Sequence, residues 1–194
     1  MLSSCINIYK TKVFKGRSLS YFAAMELSIT VIIIVITSGV SLLTMQKPDV
    51  LHKLMMNPYM ITKHGQYYRL ITSGFIHGDH MHLIFNMFSF YFFGSQLEYI
   101  FQYIFGGMGS IYFILMYILG IIVSDIPTLF KHQNNHAYNS LGASGAVAAV
   151  IFGCILFQPL QDICFYGVLC FPGFILGTLY IVYSYYSSKR SRDN

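Results

Sequence analysis

Apolar residues in this chain come in long unbroken runs, not in the alternation of a half-buried strand or the one-sided stripe of a surface helix. Stretches free of Lys, Arg, Asp and Glu cover residues 27–46, 80–97, 99–124, 132–161 and 163–188, each 18 residues or longer. About 20 apolar residues carry a helix through the hydrocarbon of a bilayer, so each gap is long enough for one crossing. The first has Val31-Ile32-Ile33-Ile34-Val35-Ile36 at its centre, whereas the fourth opens on the polar run His132-Gln133-Asn134-Asn135-His136, so its helix is expected only from Leu141. Barrel strands alternate inward and outward residues and these runs do not. The predicted fold class is therefore all-α, a polytopic membrane helix bundle with five transmembrane helices at about 27–46, 80–97, 106–124, 141–158 and 165–186. They form a membrane domain over 26–186, preceded by a basic leader, 1–25, and followed by a basic polar tail, 187–194.

Composition supports that class. The 194 residues are 55% hydrophobic and 10% charged, with a mean hydropathy of +0.57, whereas about a quarter of a soluble domain is charged. Twelve Lys and Arg cannot give a water-soluble surface to a chain with 17 Phe and 16 Tyr. Five or six crossings use up this length, so no separate soluble domain fits.

Charge sets the expected orientation. The leader carries Lys10, Lys12, Lys15 and Arg17 and no acid, which by the positive-inside rule places the N-terminus in the cytoplasm; the expected location is a plasma (inner) membrane. An organellar presequence is the other reading of this leader, and Met25, directly before Glu26, is a second candidate start. Five crossings from inside leave Lys189, Arg190 and Arg192 outside, against the same rule, and a sixth crossing would relieve that conflict. Cys5, Cys154, Cys164 and Cys170 have neither disulfide-framework nor zinc-site spacing and are assigned to packing.

Polar groups inside a membrane are costly, so they mark candidate sites. In His77-Gly78-Asp79-His80-Met81-His82-Leu83-Ile84-Phe85-Asn86, the pair His82 and Asn86 is spaced i, i+4 and shares one helix face, with His77 at the mouth. A buried histidine is most often a satisfied structural hydrogen bonder, and that reading stays open for His77 and His80. The second feature is Leu141-Gly142-Ala143-Ser144-Gly145-Ala146. Glycines on both sides of Ser144 let backbone approach its hydroxyl, as an accessible nucleophile requires. Gly145, Ala149 and Gly153 also continue at spacing four, the pattern of a close helix-packing seam, and both readings can hold together.

Side by side, these two features resemble the rhomboid intramembrane serine proteases. Gly142-Ala143-Ser144-Gly145 resembles the family's Gly-x-Ser-Gly at the start of the fourth span. His77, His82 and Asn86 resemble its His-x4-His-x3-Asn on the second, Tyr68-Arg69 its Trp-Arg element, and Gly94 with Glu98 its Gly-x3-Glu. The resemblance covers residues from about Glu26 onward. It implies a rhomboid-like bundle of six helices that cleaves transmembrane segments of membrane proteins, with Ser144 as nucleophile. Its own N–H, His82 and Asn86 would hold the oxyanion; His77, Gly142, Gly145, Arg69 and Glu98 would support the site. Implied partners are transmembrane protein substrates and the lipid bilayer, without nucleic acid, cofactor or metal. The family's Ser-His dyad takes its base from the sixth span, and the sequence has no His after His136. Ser144 is therefore expected to be inactive or weakly active, by truncation, frameshift or genuine loss of catalysis, with His136 and His82 poor substitutes as base. Ala148 also stands where relatives often carry an aromatic residue.

Two alternatives stay open: a non-catalytic rhomboid-like binder of membrane proteins, and a membrane metal-binding or transport protein using His77, Asp79, His80 and His82.

Overall fold

A computed structural model describes residues 28–165 and 169–190. The leader, with Cys5 and Met25, and residues 191–194 of the tail lie outside the described residues. Helix α1, Ile29–Met45, is followed by a first-loop region of three short helices, α2 (Pro48–Leu54), α3 (Pro58–His64) and α4 (Arg69–Thr72). Proline opens α2 and α3 because it lacks the N–H that a first-turn residue leaves unpaired anyway, and Asn57 caps α3 by accepting from the Met60 amide at 2.9 Å. A short 3-10 turn, Ser73–Phe75, leads toward α5 (His80–Phe105), whose N-cap Asp79 accepts from the His82 amide at 2.8 Å. Helices α6 (Gly109–His132) and α7 (Ser144–Phe157), the antiparallel strands β1 (Asp162–Phe165) and β2 (Leu169–Pro172), and α8 (Gly173–Arg190) complete the described chain.

The distribution of side chains shows which solvent this bundle is built for. On α1 the buried face is hydroxyl-bearing, with Thr30, Thr37, Ser41 and Thr44 inside, while Val35 and Leu43 are each 64% exposed. On α5, Phe85, Phe88 and Phe92 point outward and Asn86 and Glu98 inward. Water would reverse this arrangement; lipid favours it, because the apolar side chains face hydrocarbon and the polar ones are kept from it. By length and composition the helical stretch His80–His132 is sufficient to cross a membrane, and Ile29–Met45, Ser144–Phe157 and Gly173–Val182 are shorter apolar helices.

Helix α7 packs on both α5 and α6 around a core that includes Phe90, Phe113, Tyr117 and Val150. The small residues of α7 form the contact: a Cβ added at Gly120 would lie 2.9 Å from the Ala149 side chain, and one at Gly153 would lie 2.8 Å from Leu97. The seam over Gly145, Ala149 and Gly153 is thus a close helix packing surface.

Several boundaries differ from the sequence expectation, among them the end of α6 at His132 and the start of α7 at Ser144. Helix α5 continues past residue 97 to Phe105, because Glu98 turns into the bundle and is no helix-ending surface charge. Helix α6 begins at Gly109 after a turn over Gly106–Met108, three residues later than expected. The helix expected from 165 begins at Gly173, since Ile163 pairs with Phe171 and Asp162 with Pro172 in a hairpin. Its β-favouring residues and the Pro172-Gly173 step account for that change. Helix α8 also runs to Arg190, into the segment expected to be a polar tail.

Candidate active site

Ser144 is the first residue of α7, and its side chain is exposed. The N-cap, Ala143, offers no side-chain acceptor, and the first bond at this helix end runs from the Val147 amide to the Ala143 carbonyl at 2.9 Å. The amides of Ser144, Gly145 and Ala146 therefore form a bare helix N-terminus beside the Ser144 hydroxyl, suited to negative charge.

The turn into Ser144 is held by the first-loop region. Gly142 has φ 116°, a conformation that side chains disfavour. Its amide donates to the Ser73 carbonyl at 2.9 Å, and Met56 and Ser140 exchange backbone bonds of 3.0 Å. The His82 ring lies directly over Gly142, where an added Cβ would meet Cε1 at 2.7 Å and Nε2 at 2.9 Å. Gly145 faces α6, where a Cβ would run into the Ser124 hydroxyl. The two glycines that flank Ser144 thus have separate reasons, a turn with an imidazole over it and a helix contact.

His77 lies in the loop before α5, fully buried, and both its ring nitrogens are occupied. Nε2 accepts from the Ala143 amide at 3.3 Å, so the neutral ring carries its proton on Nδ1 and donates to Ser41 Oγ at 2.9 Å. Ser41 in turn donates to the Phe75 carbonyl at 3.2 Å. Burial pushes the His77 pKa down to about 4, with the His82 ring 4.9 Å away adding to the shift and Asp79 opposing it. A neutral His77 is what the Ala143 amide needs as an acceptor. His77 is thereby a support for the turn into Ser144, with both ring nitrogens engaged. Among the described residues no group of three or more His, Cys, Asp or Glu is arranged to hold a metal ion. Asp79 is already spent as a helix cap, and His80 is exposed.

The remaining sequence candidates divide into near and far. Asn86 is buried one turn below His82 and donates from Nδ2 to the His82 carbonyl at 2.9 Å. Arg69 makes its bonds within the first-loop region: its Nη1 donates to the carbonyls of His52 at 2.8 Å and Met55 at 2.7 Å, and its Nε to Gln66 at 2.7 Å. It fastens the first-loop region, with Tyr68 beside it at 5.6 Å. Glu98 lies near the opposite end of α5 from His82 and accepts from Ser28 Oγ, the Ile29 and Thr30 amides and Thr30 Oγ1 at 2.6–3.0 Å, capping α1. Gly94 packs against Thr30 beside it. His136 is exposed and stands edge-on to Tyr59 at 6.2 Å, while its carbonyl accepts from Asn57 at 3.1 Å. Sequence reasoning passed over Ser41, Ser73, Asn57 and Ser124. Of these only Asn57, directly before Pro58, carries a local signal, that of a helix cap.

Residues 64–191 match the family model described as Rhomboid domain, which is well over half of the chain. The chain belongs to the rhomboid family. It is 28% identical over 148 residues to RHOMBOID-like protein 12, mitochondrial, of Arabidopsis thaliana, covering 66% of this chain and 42% of that protein. It is 32% identical over 96 residues to the putative rhomboid protease YdcA of Bacillus subtilis (strain 168), covering 50% of this chain and 43% of that protein. The matches span less than half the length of either relative. Family membership and the apolar helices make this a membrane protein of rhomboid type.

Proposed function

We propose that this chain carries the nucleophile and oxyanion side of a rhomboid-type intramembrane serine endopeptidase. The observation that carries the reading is Ser144 at an uncapped helix N-terminus with the His82 imidazole directly over Gly142, two residues before it. Ser144 Oγ would attack the carbonyl carbon of a peptide bond in a substrate's transmembrane segment. The Ser144 amide, His82 and the free donor capacity of Asn86 would take the charge developing on the carbonyl oxygen. Preorganised donors of this kind typically contribute about a hundred- to a thousandfold in rate each. The serine proton must pass to a base and from there to the departing amine before water releases the acyl group. Ser144 has no hydrogen-bond partner for its side chain among the described residues, and the sequence has no His after His136. The family that this chain resembles takes that base from a sixth helix. In this reading the N-terminus is cytoplasmic, the membrane is the plasma (inner) membrane, and no cofactor is required.

That Ser144 has no side-chain partner among the described residues favours a second reading, a rhomboid-like binder that retains the scaffold and holds membrane-protein segments without cutting them. A fluorophosphonate probe separates the two. In proteoliposomes the chain alone is expected to stay unlabelled. The chain fused to a histidine-bearing sixth helix is expected to label at Ser144 and to cleave a transmembrane substrate, with both lost in Ser144→Ala. Labelling that survives this substitution would sink the nucleophile assignment; no labelling in the fused form would leave the binder.

A further inference from the structure

Helix α6 is apolar over most of its length and contains a single acidic residue, Asp125, which the proposed mechanism does not use. A carboxylate next to an apolar run is costly and is retained where it has a partner. Its partner here is Ser73, a residue 3% exposed, whose Oγ donates to Asp125 Oδ2 at 3.4 Å. Ser73 is also the residue whose backbone carbonyl holds the Gly142 amide at 2.9 Å. At the next position, Gly74, an added Cβ would meet Ile121 at 2.6 Å, so the loop lies flat on α6. The residue before Asp125 is Ser124, whose side chain abuts Gly145. Consecutive residues of α6 therefore address both ends of the Gly142–Gly145 turn, Ser124 directly and Asp125 through Ser73.

We propose that Asp125 is a positioning residue for the nucleophile turn: it anchors the Ser73 hydroxyl and so fixes the carbonyl that holds Gly142 in its left-handed conformation. This rests on the reading of Ser144 as nucleophile only for its functional meaning; the anchoring itself is a property of the ground-state fold. Without the acceptor, the Ser73 hydroxyl is free to turn back to a carbonyl of its own turn, and the Gly142 amide loses a fixed partner. An Asn at 125 keeps an acceptor oxygen at the same reach, whereas Ala does not.

The test is amide hydrogen exchange by mass spectrometry on the full chain in nanodiscs, reading the peptide that contains Gly142 against a control peptide around Phe90. Asp125→Ala is expected to speed exchange at Gly142 about tenfold, the factor equivalent to one ordinary hydrogen bond, and Asp125→Asn to stay within about twofold of the parent. Ser73→Ala is expected to match Asp125→Ala, and the double substitution to add nothing further. If Asp125→Ala does not fold, the comparison of Ser73→Ala with Ser73→Ala/Asp125→Asn carries the test, with equal exchange expected. Unchanged exchange in Asp125→Ala, no rescue by Asn, or additive effects of the two substitutions would overturn the proposal. None of these readouts depends on catalysis, so the anchoring can fail while the protease reading stands, and the reverse.

Discussion

Substituting Glu98 by Ala removes the acceptor for four donors at the start of α1: Ser28 Oγ at 2.6 Å, the Ile29 amide at 2.8 Å, the Thr30 amide at 3.0 Å and Thr30 Oγ1 at 2.8 Å. Glu98 is 4% exposed, so water cannot replace it freely. Side-chain hydrogen bonds in bilayers average about 0.6 kcal/mol, and bonds to charged groups in proteins reach about 1.5 kcal/mol or more, so four of them bracket the loss at roughly 2.4–6 kcal/mol. Favourable placement of a negative charge at the α1 N-terminus is lost as well. Gln is an informative intermediate because the load is uneven. Oε2 accepts three of the bonds and Oε1 only the one from the Ile29 amide. A Gln oxygen can take the three-bond position, but its NH2 then opposes the Ile29 amide, so Glu98→Gln is expected to recover about half of the loss. Pulse proteolysis in mixed micelles of rising SDS fraction measures both variants. Glu98→Ala within about 0.5 kcal/mol of the parent, or Gln and Ala indistinguishable, would refute the capping argument.

Three further outcomes are expected. With the His77 pKa at about 4 against 6.5 unfolded, the folded state resists protonation. The stability contribution is therefore complete above pH 6.5 and is lost as pH falls toward 4, by about 3 kcal/mol in total; a pH series of the same unfolding assay checks it, and a His77→Gln variant should flatten that slope. Gly142→Ala strains a φ of 116° and pushes on His82, so it should cost about 1–3 kcal/mol and abolish fluorophosphonate labelling of the fused form, whereas Ala137→Gly in the exposed loop should do neither. Arg69→Lys keeps the charge but not the fork that spans the His52 and Met55 carbonyls, and should lose about 1–2 kcal/mol, read as faster proteolysis within residues 48–72.

The apolar runs already specify a helical membrane protein, because in lipid a backbone without water must close its own hydrogen bonds. The family pattern around Ser144 was legible too. Gly142, Ser144, His82 and Asn86 are a short-range pattern, set by a turn and by one helical repeat, and the Rhomboid domain match bears out the family that pattern resembles. Where α5 ends was not legible: Glu98 looked like a boundary charge, and only its contact with α1, 68–70 residues earlier, shows it to be an internal cap. Hydropathy misses such a residue because it counts a charge as exposed wherever it stands.

The hairpin of β1 and β2 escaped for a similar reason, since short apolar strands and an apolar helix differ little in composition. The supports of the site are further still from local pattern. His77 between Ser41 and Ala143, Ser73 between Asp125 and Gly142, and Asn57 between His136 and Asn139 each join segments 36 to 82 residues apart. By itself the sequence determined the solvent, the helical class and the family pattern around Ser144. Only the crossing of α1, α5, α6 and α7 decided which polar groups hold that residue in place, because partners for buried hydroxyls and imidazoles are chosen by which helices meet, and that is set by the packing of small residues along their shared seams.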